Sequence, residues 1–304
     1  MSASAILLLF WLLLCPEAAK VSAACAILSC AKKLLPSLFC FAVLSGFLTR
    51  SGALGLLYRI FEKPFHALSG LPGRFVGTYL FSFLAGFPSG VISALEYRKS
   101  GVISRDDCAR LAAVSDNTGP ALPVLLIGGA IFSDARLGVY IYLIQIAASL
   151  ITLRLTRPRK PDHPGEVGQS EEKITSVHES PITAFCAAVR SAVSACAALC
   201  GYVVIFTVAA DALALRFPSV RFLLPFLEIS NGSAALSALP REVGFIIASA
   251  ALSFGGVCVQ LQAADLLTNE KIPLTPHLCI KLVQSLCALL LAFAAVAARG
   301  FFIY

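Results

Sequence analysis

Apolar runs about as long as a membrane crossing recur from residue 34 to the end of the chain, and short polar motifs cut into several of them. An α-helix rises about 1.5 Å per residue, so a hydrocarbon core about 30 Å thick takes roughly 20 apolar residues. The pattern predicts a first full span over Leu34–Leu57. Phe75–Leu95 follows, interrupted by Gly86-Phe87-Pro88-Ser89-Gly90. Leu111–Phe132 is interrupted by Asp116-Asn117-Thr118-Gly119-Pro120, and Gly138–Leu155 is an unbroken span. After a hydrophilic stretch the same order returns. Ile182–Leu215 holds an amphipathic start and a full span. Phe222–Leu239 is interrupted by Glu228-Ile229-Ser230-Asn231-Gly232, Val243–Leu267 by Phe254-Gly255-Gly256, and His277–Ala298 is the last span.

This order divides the chain. Residues 1–33 hold a short first membrane helix and an interfacial helix, 34–155 form a first repeat, 156–181 a cytoplasmic linker, and 182–304 a second repeat. Met1–Cys15 looks like the apolar core of a signal peptide but lacks a basic start, so a short membrane helix is expected, with a cleaved signal as the alternative. Ala18–Lys33 is rich in Ala and Cys with lysines at its edges, which suits a helix lying at the interface. Arg154–Pro181 is rich in Pro, Glu and Lys, and has too little to bury to fold by itself. Each repeat reads as a span, a short broken segment, a longer broken segment and a span. Sequence identity between the halves is slight, so the repeat rests on this order of features. Interrupted apolar segments at corresponding places in two halves are the sequence mark of a transporter binding site.

Orientation follows from the basic residues. Arg154, Arg157, Arg159 and Lys160 form the strongest cytoplasmic signal. With Phe75–Leu95 taken as a re-entrant hairpin, the loops around Arg59–Arg74 and Arg98–Arg110 fall on that same side. Phe222–Leu239 then enters from the opposite face. The expected fold is an all-α polytopic membrane protein of two inverted repeats, each with a re-entrant hairpin and a broken transmembrane helix.

Composition agrees. Of 304 residues 58% are hydrophobic and 13% charged, against about 25% charged in soluble domains. The net charge of +7 does not indicate nucleic acid, because the basic residues sit between apolar segments as in loops touching anionic headgroups. The 11 cysteines form no CxxC pair and read as small buried side chains; the four histidines have no metal-ligand spacing. No nucleophile elbow, zincin motif or P-loop is present, so neither an enzyme nor a cofactor is expected.

The interruptions carry the chemistry. Backbone N–H and C=O groups in hydrocarbon must be satisfied internally, and broken backbone is tolerated only where protein or a water-filled cavity covers it. Half-helix N-termini offer free donors and partial positive charge. Pro88, Ser89 and Gly90 read as a hairpin tip, with helix kinking as the plain alternative. Asp116, Asn117, Thr118, Gly119 and Pro120 place a carboxylate and an amide in an apolar run, where polar groups are expensive and mark sites; an interfacial helix cap is the alternative. Glu228, Ser230, Asn231 and Gly232 are similar. Gly255 and Gly256 precede Gln260 and Gln262, which lie about 200° apart on a helix, so one of the two is expected to line a cavity. Asp116 and Glu228 are the candidates for a coupling proton or Na⁺.

The order FPSG, KSGVISRDDCARL, DNTGP, EISNG and LSFGGVCVQLQ resembles the sporulation integral membrane proteins with nucleoside-recognition (Gate) domains, over roughly residues 30–295. The loop from Gly101 to Leu111 and the run from Phe254 to Gln262 carry most of the likeness. Within that family the chain is most similar to the member implicated in moving dipicolinic acid across the outer forespore membrane. The family is similar in design to concentrative nucleoside transporters, whose two hairpins and two broken helices form the substrate site. The resemblance implies Pro88–Gly90, Asn117–Pro120, Glu228–Gly232 and Gly255–Gln262 as site elements. Two positions depart from the family pattern: Asp116 stands where an uncharged amide is usual, and Gly119 where Ser is usual. The extra carboxylate suits a bound proton or Na⁺ and weighs against an acidic substrate.

The expected function is secondary transport of a small polar or anionic aromatic molecule, dipicolinic acid or nucleoside-like, in the cell membrane, or in the outer forespore membrane of a spore former. A non-transporting membrane scaffold or assembly factor of the same fold is the alternative, and a homo-oligomer is compatible with either. The linker supplies a first test. Deleting about 15 residues between Arg157 and Ser180 leaves expression and membrane insertion unchanged, because a segment of this composition buries little; loss of inserted protein would show that it packs.

Overall fold

A computed structural model describes residues 2–51, 55–99, 101, 103–157 and 180–298. All but the two ends of the linker expected over 156–181 lies outside these residues. Regular structure among them is entirely helical. The first half runs α1 (Ser2–Leu14), α2 (Pro16–Ser29), α3 (Leu35–Arg50), α4 (Gly55–Ser69), α5 (Val76–Ala85), α6 (Ser89–Lys99), α7 (Arg105–Val114), α8 (Ala121–Ile131, wound in π geometry) and α9 (Ala135–Leu155). The second half runs α10 (Pro181–Arg216), two single turns α11 (Leu224–Leu227) and α12 (Ile229–Gly232), α13 (Arg241–Phe254), α14 (Gly256–Asn269) and α15 (Leu274–Ala297). Among the described residues α9, α10, α13 with α14, and α15 are long and apolar enough to cross a membrane, and the bent pair α1–α2 gives a fifth crossing if counted as one span. The chain is an all-α, multi-pass membrane protein.

The N-terminal region differs from the expectation in two respects: the helix of the span expected over Leu34–Leu57 ends at Arg50, and no break separates it from the segment before it. The helix beginning at Pro16 passes residue 33 without a break and continues to Arg50. Pro36 has no N–H to return to the preceding turn. The helix adapts by widening over Cys30–Leu34, where the Leu35 N–H reaches back to the Cys30 carbonyl. The true bend comes earlier, at Cys15–Pro16, where α1 meets α2 at 111°.

The long helix α2–α3 and α10 lie antiparallel. The Ser22 hydroxyl donates to the Asp211 carboxylate near one end. At the other end the Phe47 and Phe185 rings stand edge to face with centroids 6.0 Å apart, and a Cβ on Gly46 would lie 3.2 Å from the Cβ of Ala188. Close approach through small residues is the usual glue between helices in lipid, where no hydrophobic force acts between them.

Residues 76–99 form a hairpin. Its arms have 10 and 11 residues, so each reaches about 15 Å, half of the hydrocarbon thickness. The ring of Phe75, where the hairpin begins, lies 4.9 Å from that of Tyr97 near its end, so the chain returns to the side it entered from. The turn uses Gly86 at φ +78°, in the left-handed region. The second hairpin, over 218–238, sets the single turns α11 and α12 between two short 3-10 helices, Pro218–Leu223 and Ser233–Ala238, with Gly232 packed on the Leu224 carbonyl.

Two apolar clusters mark the ends of the molecule. One joins Phe75 and Leu95 of the first hairpin to Leu111 of α7, Leu153 of α9, Leu267 of α14 and Ile280 of α15. The other joins Ile229 of the second hairpin to Ile127 of α8, Leu137 of α9, Phe245 of α13 and Ala292 of α15. The α7–α8 segment therefore runs from the first cluster to the second, and α13–α14 runs back. α9 and α15 are likewise opposed. The hairpins sit at opposite ends, and both helix breaks fall between the clusters.

This arrangement predicts sidedness. With the exposed native cysteines at 15, 25, 40, 186 and 279 replaced, Asp106→Cys beside the first hairpin and Ser219→Cys beside the second are labelled by an impermeant thiol reagent from opposite faces of sealed vesicles. Labelling of both from one face would contradict the placement of the two hairpins.

Candidate functional site

The break between α7 and α8 frees a series of carbonyls, and side chains take them up. Asn117 turns its amide back to the Val114 carbonyl at 2.7 Å and to the Ser82 hydroxyl at 3.0 Å. Gln145 of α9 donates to the Thr118 carbonyl at 3.2 Å. Lys281 of α15 donates to the Asp116 carbonyl at 2.5 Å and to Gln284 Oε1 at 3.0 Å. Gln284 in turn donates to Asn117 Oδ1 at 2.8 Å. The Lys281 Nζ lies 5.9 Å from the centre of the Phe87 ring, within range of a cation–π attraction. This network is sealed: Asp116, His277, Lys281 and Gln284 are all 0% exposed. The Asp116 carboxylate accepts no hydrogen bond, and neither does either nitrogen of His277 have a partner. His277 Nε2 stands 3.6 Å from Asp116 Oδ2.

In the second hairpin the freed groups are N–H donors, and one residue takes them up. Glu228 caps the turn that follows it, one oxygen accepting from the Ser230 N–H at 2.8 Å and the other from the Asn231 N–H at 2.6 Å. Asn231 donates to the Thr207 hydroxyl of α10 at 2.9 Å. The break in α13–α14 rests on backbone geometry, with Gly255 at φ +93°, where a side chain is strained. Gln260 donates to the Phe254 carbonyl at 2.6 Å, and Gln262 lies against Cys258 Sγ at 3.5 Å. Ser89 bonds within its own tip, to the Gly86 carbonyl at 2.6 Å.

The four interruptions meet. A Cβ on Gly90 would fall 1.8 Å from the Ser115 carbonyl oxygen, and one on Gly119 would lie 2.9 Å from that of Leu84, so the first hairpin tip presses on the first break. A Cβ on Gly255 would lie 3.2 Å from the Phe87 ring, and one on Gly256 3.4 Å from the Leu227 and Pro225 carbonyl oxygens, so the second break lies against both hairpin tips. Beside this crossing lies a cavity of about 330 Å³. Its walls include Phe87, Thr118, Leu199, Glu228, Ser230 and Cys258. Apolar walls with a few convergent polar groups are usual for a small-molecule site.

The sequence-predicted residues thus separate into groups. Thr118, Glu228 and Ser230 line the cavity. Asp116 and Asn117 stand behind it in the buried network, and Asn231 is turned toward α10. Pro88 and Ser89 line a smaller pocket of about 60 Å³ beside the Arg50–Glu96 ion pair, whose charged atoms are 2.9 Å apart. Gly90, Gly119, Gly232, Gly255 and Gly256 make the close approaches, and Pro120 leads into α8. Neither Gln260 nor Gln262 lines the cavity; that helix contributes Cys258 and Val259. Sequence reasoning missed Ser82, Gln145, His277, Lys281 and Gln284. The last three recur at i, i+4 and i+7, one face of an apolar helix, and that spacing is the signal that marks them. Among the described residues no three His, Cys, Asp or Glu side chains gather as a metal site.

No family model, curated protein or solved structure matches the chain.

The glycine crossing predicts a contrast in stability. Gly90→Ala forces backbone against backbone and lowers stability by at least about 1–3 kcal/mol. Gly201→Ala, on an exposed face of α10 with nothing within 4 Å, raises it by about 0.5–1 kcal/mol. Thermal unfolding of the two variants in detergent checks this; equal melting temperatures would contradict the crossing.

Proposed function

We propose that the chain is a secondary transporter of a small, polar, planar molecule, and that its two halves are inverted repeats. The observation that carries this reading is the cavity at the meeting point of two hairpin tips and two helix breaks. Such irregular backbone in hydrocarbon is tolerated where it lines a cavity, and transporters place their sites at the junction of two oppositely oriented halves. The antiparallel pairing of α2–α3 with α10, of α7–α8 with α13–α14 and of α9 with α15 supports the inverted relation. With one hairpin at each end, movement of either opens a path to a different side, which is what alternating access requires.

Between the two substrate classes the cavity favours a nucleoside-like neutral molecule over dipicolinate. The acidic side chain on its wall is Glu228, and an ionised carboxylate in a low-dielectric wall repels a dianion. Phe87 offers a ring face for stacking, while Thr118 and Ser230 offer hydroxyls.

Counterflow in proteoliposomes tests the reading. Vesicles preloaded with uridine take up labelled uridine faster than protein-free vesicles, and preloading with dipicolinate gives less. Glu228→Gln keeps uridine counterflow, narrows the gap to dipicolinate, and costs about 0.5–2 kcal/mol of stability through the weakened cap. Absence of counterflow with either solute would leave the scaffold reading in its place.

A further inference from the structure

The buried network behind the cavity bears on the coupling ion, and the argument rests on the transport reading above. In transporters with broken helices, freed carbonyls and nearby side-chain oxygens coordinate Na⁺. In this chain the corresponding oxygens are already occupied. The Asp116 carbonyl lies on the break between α7 and α8, and Gln284 Oε1 faces it from α15. Both accept from the same nitrogen, Lys281 Nζ, at 2.5 and 3.0 Å. The Phe87 ring stands on another side of that nitrogen at 5.9 Å. An ammonium ion held by a carbonyl, an amide oxygen and a ring face is a bound monovalent cation, attached to the protein through its own side chain.

We infer that Lys281 is a tethered cation filling the place of a coupling Na⁺, and that the ion moved with substrate is a proton taken up by the Asp116 carboxylate. The carboxylate is suited to that exchange. It is fully buried and both its oxygens are without donors. Its nearest basic neighbour is His277, whose Nε2 is 3.6 Å away and whose nitrogens are otherwise unpartnered. The step is a simple one. A proton arriving from one side binds a carboxylate oxygen and later leaves from it to the other side.

Among the described residues, the other titratable groups on the elements around the cluster are exposed or bonded elsewhere; Tyr79 of the first hairpin meets the Ser149 hydroxyl, and Tyr142 of α9 donates to the Phe83 carbonyl. On α15 its own helix contributes His277 and Lys281. From α9 the neighbour is Gln145, with Arg136 and Arg154 exposed near its ends. Arg241 and Glu242 of α13 and Asp265 of α14 are exposed. On α7, Arg105 and Asp106 are exposed, and Arg110 is turned to Asp107 and the Ser69 carbonyl.

Two measurements test this, and only the second needs transport. In detergent, the melting temperature of the wild-type chain is the same in NaCl as in choline chloride at equal ionic strength. Lys281→Ala, which empties the place of the ammonium, melts at least about 2 °C higher in NaCl than in choline chloride. A Na⁺-dependent rise in the wild type, or none in Lys281→Ala, overturns the inference. Because Lys281→Ala leaves Asp116 buried without its cation, the double variant Lys281→Met/Asp116→Asn is measured alongside; it melts alike in both salts, and a Na⁺-dependent rise in it would place the cation elsewhere and overturn the assignment. In proteoliposomes, an inward pH gradient drives uridine accumulation and a Na⁺ gradient does not. In Asp116→Asn the ratio of uptake with and without the pH gradient falls to about one. Accumulation driven by Na⁺ overturns the inference. If the melting results hold while no vesicle condition gives uptake, the transport reading fails and the tethered cation stands.

Discussion

The break after Val114 leaves the carbonyls of Val114, Asp116 and Thr118 without helical partners, in a part of the chain that lipid would otherwise surround. Each freed carbonyl costs several kcal/mol in hydrocarbon if left bare. The rest of the central architecture follows from meeting that cost. Asn117, Lys281 and Gln145 supply the donors. To do so α9 and α15 must pass on either side of the break with these residues turned inward. The first hairpin must then press close enough for Ser82 to accept from Asn117 and for Gly90 to lie on the Ser115 carbonyl. A position that fits glycine alone and a lysine inside an apolar helix are consequences of one constraint.

Much of the fold was legible in the sequence because membrane segments announce themselves by length and polarity. The interruptions at 86–90, 116–120, 228–232 and 254–256 fall where helices end in the structure, since clustered Gly, Pro and short polar residues weaken the helical hydrogen-bond ladder there. The region before residue 50 was less legible. The lysines at 32 and 33 looked like the edge of an interfacial helix, yet one helix carries through them and Pro36 widens a turn instead of ending it. Single-residue rules for proline do not reveal whether a neighbouring turn can stretch.

The candidate site was legible in part. Its motifs lie on the breaks, and the breaks visibly gather. What the sequence hid was the division of roles. Glu228 and Asp116 look alike as lone carboxylates in apolar runs, but Glu228 satisfies two backbone N–H groups of its own turn, whereas Asp116 offers its carbonyl to Lys281 and sets its carboxylate 3.6 Å from His277. That difference depends on which helix passes behind each residue. Lys281 lies 165 positions from Asp116. Its own helix gives only the i, i+4, i+7 spacing of His277, Lys281 and Gln284, which orients the face without naming its partner.

Stability gives no sufficient reason for charge at this place. Desolvating two ions costs several kcal/mol each, and buried ion pairs can often be replaced by well-packed apolar residues without loss. Half two shows that an uncharged solution is within reach of this chain: the break between α13 and α14 is closed by Gly255, Gly256 and a glutamine amide on the Phe254 carbonyl. The break between α7 and α8 instead turns a lysine to one carbonyl and buries a carboxylate that accepts no hydrogen bond, with His277 Nε2 3.6 Å away. The two breaks meet the same backbone constraint, so the constraint does not account for the difference. What the charged solution has and the neutral one lacks is a buried carboxylate beside an imidazole, the place to which the proposed proton exchange is assigned.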